Sequence, residues 1–109
     1  MMKIEDLLNR QFWTAGKEPC WIFCQKVLGL MGRDVPARLG DMSRIDEPKV
    51  GAVVLFHQKQ GYHAGVVWPD CLHFIHARTP LSQPDLPPVG REDRLSDPLY
   101  EHLIDGFYV

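Results

Sequence analysis

The chain has 109 residues, 45% of them apolar and 10% aromatic, which fits one globular domain with a modest core and excludes a disordered segment. Its formal net charge of −2 gives no electrostatic footprint for nucleic acid or for an anionic membrane. Three cysteines are an odd number and build no complete disulfide framework.

The first ten residues, MMKIEDLLNR, carry acidic side chains and lack the apolar centre of a secretory signal. The longest apolar run falls far short of the roughly 20 residues a membrane span needs. The expectation is a protein made in the cytoplasm with no membrane span. Ile4, Leu7, Leu8 and Phe12 repeat at the spacing of a short amphipathic helix, which Gly16 and Pro19 interrupt. A second periodic stretch opens at Pro19 and places Cys20, Phe23, Cys24, Val27, Leu28 and Met31 on one face. Proline favours a first helical turn and Gly32 a stop, so the pattern predicts a helix over 19–31.

Residues 33–49 are polar and broken by Pro36, Gly40 and Pro48, as expected of a long loop with one helical turn at most. Three apolar runs follow at 50–56, 62–68 and 72–77, each bounded by Gly, Pro or Asp. Lys59-Gln60-Gly61 reads as one hairpin turn and Pro69-Asp70 as another, giving three consecutive antiparallel strands. Residues 81–91 follow Pro80 and contain three further prolines, which predicts an extended loop. A helical turn over 99–103 and a strand at 107–109 close the chain. Helices followed by strands define an α+β fold, read as one domain over 1–109.

Cys20 falls in the first turn of its helix, where unpaired backbone N–H groups and the helix dipole stabilise a thiolate. The bland alternative is a buried core cysteine, which is the reading adopted for Cys24. A thiolate nucleophile needs a base, and the base an orienting partner. His63 lies in Gly-Tyr-His-Ala-Gly-Val-Val and His76 in Phe-Ile-His-Ala. A turn centred on 69 and 70 sets positions 63 and 76 opposite each other across the hairpin. His73 points to the other face, and it and His102 read as surface residues. Cys20 and Cys24 with Cys71, His73 and His76 offer zinc-ligating atoms, but the spacing is not that of a structural knuckle and the strand faces disagree; no metal site and no cofactor is assigned.

These segments resemble the NlpC-type cell-wall cysteine peptidases, in particular their phage-tail branch. Pro-Cys-Trp-Ile-Phe-Cys-Gln-Lys-Val-Leu at 19–28 is similar to the family's nucleophile helix, and Pro-Lys-Val-Gly-Ala-Val-Val-Leu-Phe at 48–56 to its entry into the first strand. Residues 62–67 resemble the strand carrying the base, residues 74–77 the Phe-Ile-His-Ala element, and Gly-Phe-Tyr-Val at 106–109 the closing strand. Cysteine precedes the histidines, the peptidase order and not that of the permuted lipid acyltransferases. Three departures stand out. Pro19 replaces the usual Asp or Asn, Trp21 and Ile22 replace a small pair, and Phe12 and Trp13 stand where the family has a tyrosine hydroxyl.

The resemblance implies a papain-like domain, N-terminal helices packed on a small antiparallel sheet, with Cys20 as nucleophile, His63 as base and His76 orienting it. It implies hydrolysis of an amide bond in peptidoglycan stem peptides, in a phage-tail or prophage setting with tail proteins as partners and delivery by the particle. Two alternatives stay open: a non-catalytic tail module that kept the fold, and an antibacterial amidase toxin.

Overall fold

Val53, Val54, Leu55 and Phe56 are consecutive and all buried, which requires cover on both faces of one strand. In the computed structural model, which describes residues 2–12, 18–59, 61–79 and 86–109, that strand lies inside a six-stranded antiparallel sheet. The strands are β1 (Arg44–Ile45), β2 (Val53–Gln58), β3 (Gly61–Val67), β4 (His73–Arg78), β5 (Val89–Arg94) and β6 (Ile104–Tyr108). Their spatial order is β1-β6-β2-β3-β4-β5. Among the described residues there is one α-helix, α1 (Pro19–Leu30). The fold is α+β.

Strand alternation divides the core into two parts. Val53, Leu55, Ala64, Val66, Ile75 and Ala77 face α1, while Val54, Phe56, Val67, Phe74, Tyr100 and Phe107 pack together on the opposite face. The helix buries Phe23, Cys24, Val27 and Leu28, one stripe at helical spacing. Each of the large apolar side chains in that stripe contributes roughly 1.5–3 kcal/mol of burial. The helix ends as its sequence predicts. Gly32 adopts φ 74°, its N–H donates to Gly29 O at 3.1 Å, and Arg33 N–H donates to Leu28 O at 3.0 Å, closing a Schellman motif.

Three expectations need correction. The first predicted helix is only a 3₁₀ turn, Ile4–Leu7. Asn9 takes a left-handed conformation with φ 60°, and the chain then runs along β5 through bridges Leu8↔Gly90 and Gln11↔Val89. Propensity loses there to strand-like pairing. The polar stretch 33–49 holds a 3₁₀ turn, Leu39–Asp41, and also the short strand β1, paired with β6. Finally, the proline-rich loop does not extend to Arg91, because residues from Val89 onward form β5 against β4. Gly16 and residues 80–85, the start of the proline stretch, lie outside the described residues, as do Trp13 and Gln60. No helix among the described residues is long and apolar enough to cross a membrane.

Candidate active site

Pro19 occupies the first turn of α1 and Ile22 N–H makes the first helical bond, to Glu18 O at 3.1 Å. The backbone N–H groups of Cys20 and Trp21 precede that bond, so they are the orphan donors of the helix start. Cys20 is half-buried and lines a cleft of about 590 Å³ together with Trp21, Arg38, Tyr62, His63, Ala64 and Tyr108. Two helix side chains tie down the loop that borders this cleft. Trp21 Nε1–H donates to Ala37 O at 3.2 Å and the Gln25 amide to Pro36 O at 2.9 Å.

His63 enters the cleft from β3. Its side chain belongs to the sheet face turned away from α1, with its ring 6.0 Å from that of Phe56. Thiol and imidazole therefore share the cleft at the open start of β3, beside the exposed Tyr62, and not through the body of the sheet.

The expected pairing of positions 63 and 76 is two residues out of register. Val66 pairs with Ile75 and Val67 with Phe74, which sets Gly65 opposite His76 and His63 on the diagonal. The hairpin turns through four residues and not two. Trp68 N–H donates to His73 O at 2.8 Å, Asp70 Oδ1 accepts from the Leu72 and His73 amides at 2.9 and 3.0 Å, and Cys71 takes φ 58°. The two rings still meet. A diagonal pair on one sheet face lies within reach of long or aromatic side chains, and His63 Nε2 is 2.6 Å from His76 Nδ1. Gly65 makes this possible: a Cβ there would stand 2.7 Å from the Phe74 ring and 3.3 Å from His76 Cβ.

His76 is fully buried, and its Nε2 lies 2.7 Å from Asp93 Oδ2 on β5. A continuous chain, Asp93–His76–His63, thus crosses three neighbouring strands and ends at the cleft. Burial lowers the pKa of His63 to about 3, with the neighbouring His76 and Arg78 adding to the effect. Burial also lowers that of His76, although its hydrogen bond to Asp93 opposes the shift. Burial pushes the Asp93 carboxyl up, but the hydrogen bond from His76 and the positive charges of Arg91 and Arg78 outweigh it and the group stays below the usual range. At neutral pH both rings are uncharged and Asp93 is a carboxylate.

The other candidates fall elsewhere. His73 pairs with Asp70 at 2.5 Å in the hairpin loop, and His102 is exposed. Cys24 is fully buried in the core, which raises its thiol pKa well above the ordinary value. Cys71 sits in the β3–β4 loop, away from Cys20. Among the described residues no group of three or more His, Cys, Asp or Glu side chains is arranged to hold a metal ion. Phe12 packs edge-on against Phe23, ring centroids 5.2 Å apart, so it forms part of the core.

Asp93 is the site residue that sequence reasoning misses, because the expected loop covers the start of β5 and residues 92–94 carry no strand signal of their own. Residues 91–94 are all charged and show no alternation; only the pairing of His76 with Arg91 and Phe74 with Asp93 places Asp93 on the His76 face. No family model matches this sequence, and no curated protein matches it either.

Proposed function

We propose that the chain is a cysteine hydrolase of the papain-like NlpC type that cleaves an amide bond in peptidoglycan stem peptides. The observation that carries the reading is the 2.6 Å bond from His63 to a buried His76, with His63 lining the same cleft as the helix-start thiol of Cys20. The order of nucleophile, base and orienting group along the chain matches the resemblance noted above.

In this reading Cys20 Sγ attacks the substrate carbonyl while His63 takes the thiol proton. The tetrahedral oxyanion is stabilised by the orphan N–H groups at the start of α1, which need no side-chain hydroxyl. Collapse of the intermediate expels the amine, which carries off the proton held by His63, and leaves a thioester on Cys20. Water, deprotonated by His63, then hydrolyses that thioester and regenerates the thiol. Glu18, Arg38 and Asp105 around the cleft place both charge signs near a bound peptide, suited to a substrate bearing amino and carboxylate groups. A phage-tail or prophage setting follows from the same resemblance, the particle delivering the domain to the cell wall.

The test is release of peptides from purified sacculi by the intact protein and by Cys20→Ala. Cleavage by the first and none by the folded second supports the reading; equal release by both sinks it. One observation favours the non-catalytic alternative. Phe12 stands where a tyrosine hydroxyl is expected and its ring is committed to Phe23. Wild-type protein that is folded and leaves a panel of sacculi intact would establish that alternative.

A further inference from the structure

We infer that Asp93 is a positioning residue that fixes which nitrogen carries the proton on both imidazoles, leaving His63 Nδ1 bare. Hydrogen-bonding capacity fixes each proton in turn along the chain. A carboxylate only accepts, so the 2.7 Å contact to Asp93 Oδ2 requires a proton on His76 Nε2. A neutral imidazole carries one N–H, so His76 Nδ1 is then an acceptor. The 2.6 Å contact at that nitrogen therefore requires the proton on His63 Nε2. What remains unprotonated is His63 Nδ1, the nitrogen with the lone pair.

The surroundings support this polarity. Arg78 acts on both rings and Arg91 on His76, and both act on Asp93, which favours neutral imidazoles and an ionised carboxylate. Tyr100 flanks the His76 ring at 5.4 Å, and its hydroxyl accepts from Arg78. His76 is wholly buried and Phe74 covers it at 4.6 Å, so water has no access to its nitrogens to rearrange the protons. Asp93 is thus the polar group that biases the direction of the chain, from β5 toward the cleft.

The consequence for catalysis rests on the function proposed above, since a base needs its lone pair facing the thiol. The proton placement itself does not. It is read directly from long-range ¹H–¹⁵N correlations of ¹⁵N-histidine-labelled protein near neutral pH. The expected spectrum has the proton on Nε2 in both His63 and His76. Replacing Asp93 by Leu, which has the same branching and no acceptor, should move both protons to Nδ1, because a buried Nε2–H would then have no acceptor. The signals of His57 and His102 should not change. A wild-type spectrum with the proton on Nδ1 of His76, or an Asp93→Leu spectrum that keeps both protons on Nε2, overturns the inference. Should Asp93→Leu fail to fold, the wild-type spectrum alone still decides. Expected tautomers in a protein that leaves sacculi intact would uphold the role of Asp93 and reject the hydrolase reading, so the two failures are distinguishable.

Discussion

Gly65 stands opposite His76, and the space it leaves is what lets the His63 ring reach across the diagonal. A methyl group at that position would lie 2.7 Å from the Phe74 ring and 3.0 Å from the Ile75 carbonyl. Gly65→Ala should therefore push β4 away from β3. The expected loss is about 1–3 kcal/mol in urea denaturation, with the histidine ¹⁵N signals of both rings displaced. Unchanged stability and spectrum would show that the close approach is not required.

Cys20 and Cys24 should differ in reactivity. Cys24 is fully buried with a raised pKa, whereas Cys20 opens on the cleft beside His63. Iodoacetamide at neutral pH should modify Cys20 and spare Cys24, as read by peptide mass spectrometry. His63→Ala should slow the Cys20 reaction and lower peptide release by roughly 10²–10⁴-fold, the usual range for a general base. Alkylation of Cys20 at the same rate in both proteins would separate the histidine from the thiol.

Acid should destabilise the fold through these same rings. His63 falls from 6.5 to about 3 and His76 is lowered too, so the unfolded chain binds more protons as pH drops. The stability these rings contribute is fully present above 6.5 and is lost as pH falls toward about 3, at no more than about 1.4 kcal/mol per unit for each ring. Asp93 acts in the same direction at lower pH, because its pKa is depressed below 3.8. Melting temperature should decline steadily from about pH 7 to pH 4.5, and less so in His63→Phe. A flat profile over that range would contradict the buried neutral rings.

The loop beside the cleft hangs on two side-chain bonds from α1. Removing both with Trp21→Phe and Gln25→Leu should change global stability by only about 1–2 kcal/mol, yet raise amide exchange across residues 35–38. Substrate KM should rise more than kcat falls, since the loop shapes the cleft and holds no reacting group. Unaltered exchange would mean that the loop is held by something other than Ala37 O and Pro36 O.

Much of this arrangement was legible from periodicity. The stripe from Phe23 to Leu28 and the stop at Gly32 predicted α1, and strand alternation put His63 and His76 on one face and His73 on the other. Register was not legible, because it depends on a loop whose length is set by the Asp70 side chain and by a left-handed Cys71. A cysteine at positive φ leaves no composition signal. β5 was hidden for a different reason: Val-Gly-Arg-Glu-Asp-Arg is a sheet-edge strand with one buried residue, and its chemistry, more than its hydropathy, ties it to β4. The N-terminal turn misled in the opposite sense, since a helical apolar spacing ended in bridges to Gly90 and Val89.

Asp93, His76 and His63 occupy three successive strands, so one unbroken stretch of chain, 61–94, carries the whole hydrogen-bonded series. Cys20 comes from outside it. The two parts of the site can therefore diverge independently: a small displacement of α1 would silence the thiol without disturbing a single bond between the rings. A descendant that had lost cleavage in this way would keep the proton pattern of its active ancestor. Conversely, a shift of β5 would reverse that pattern while the cysteine stayed open to the cleft and reactive toward small reagents.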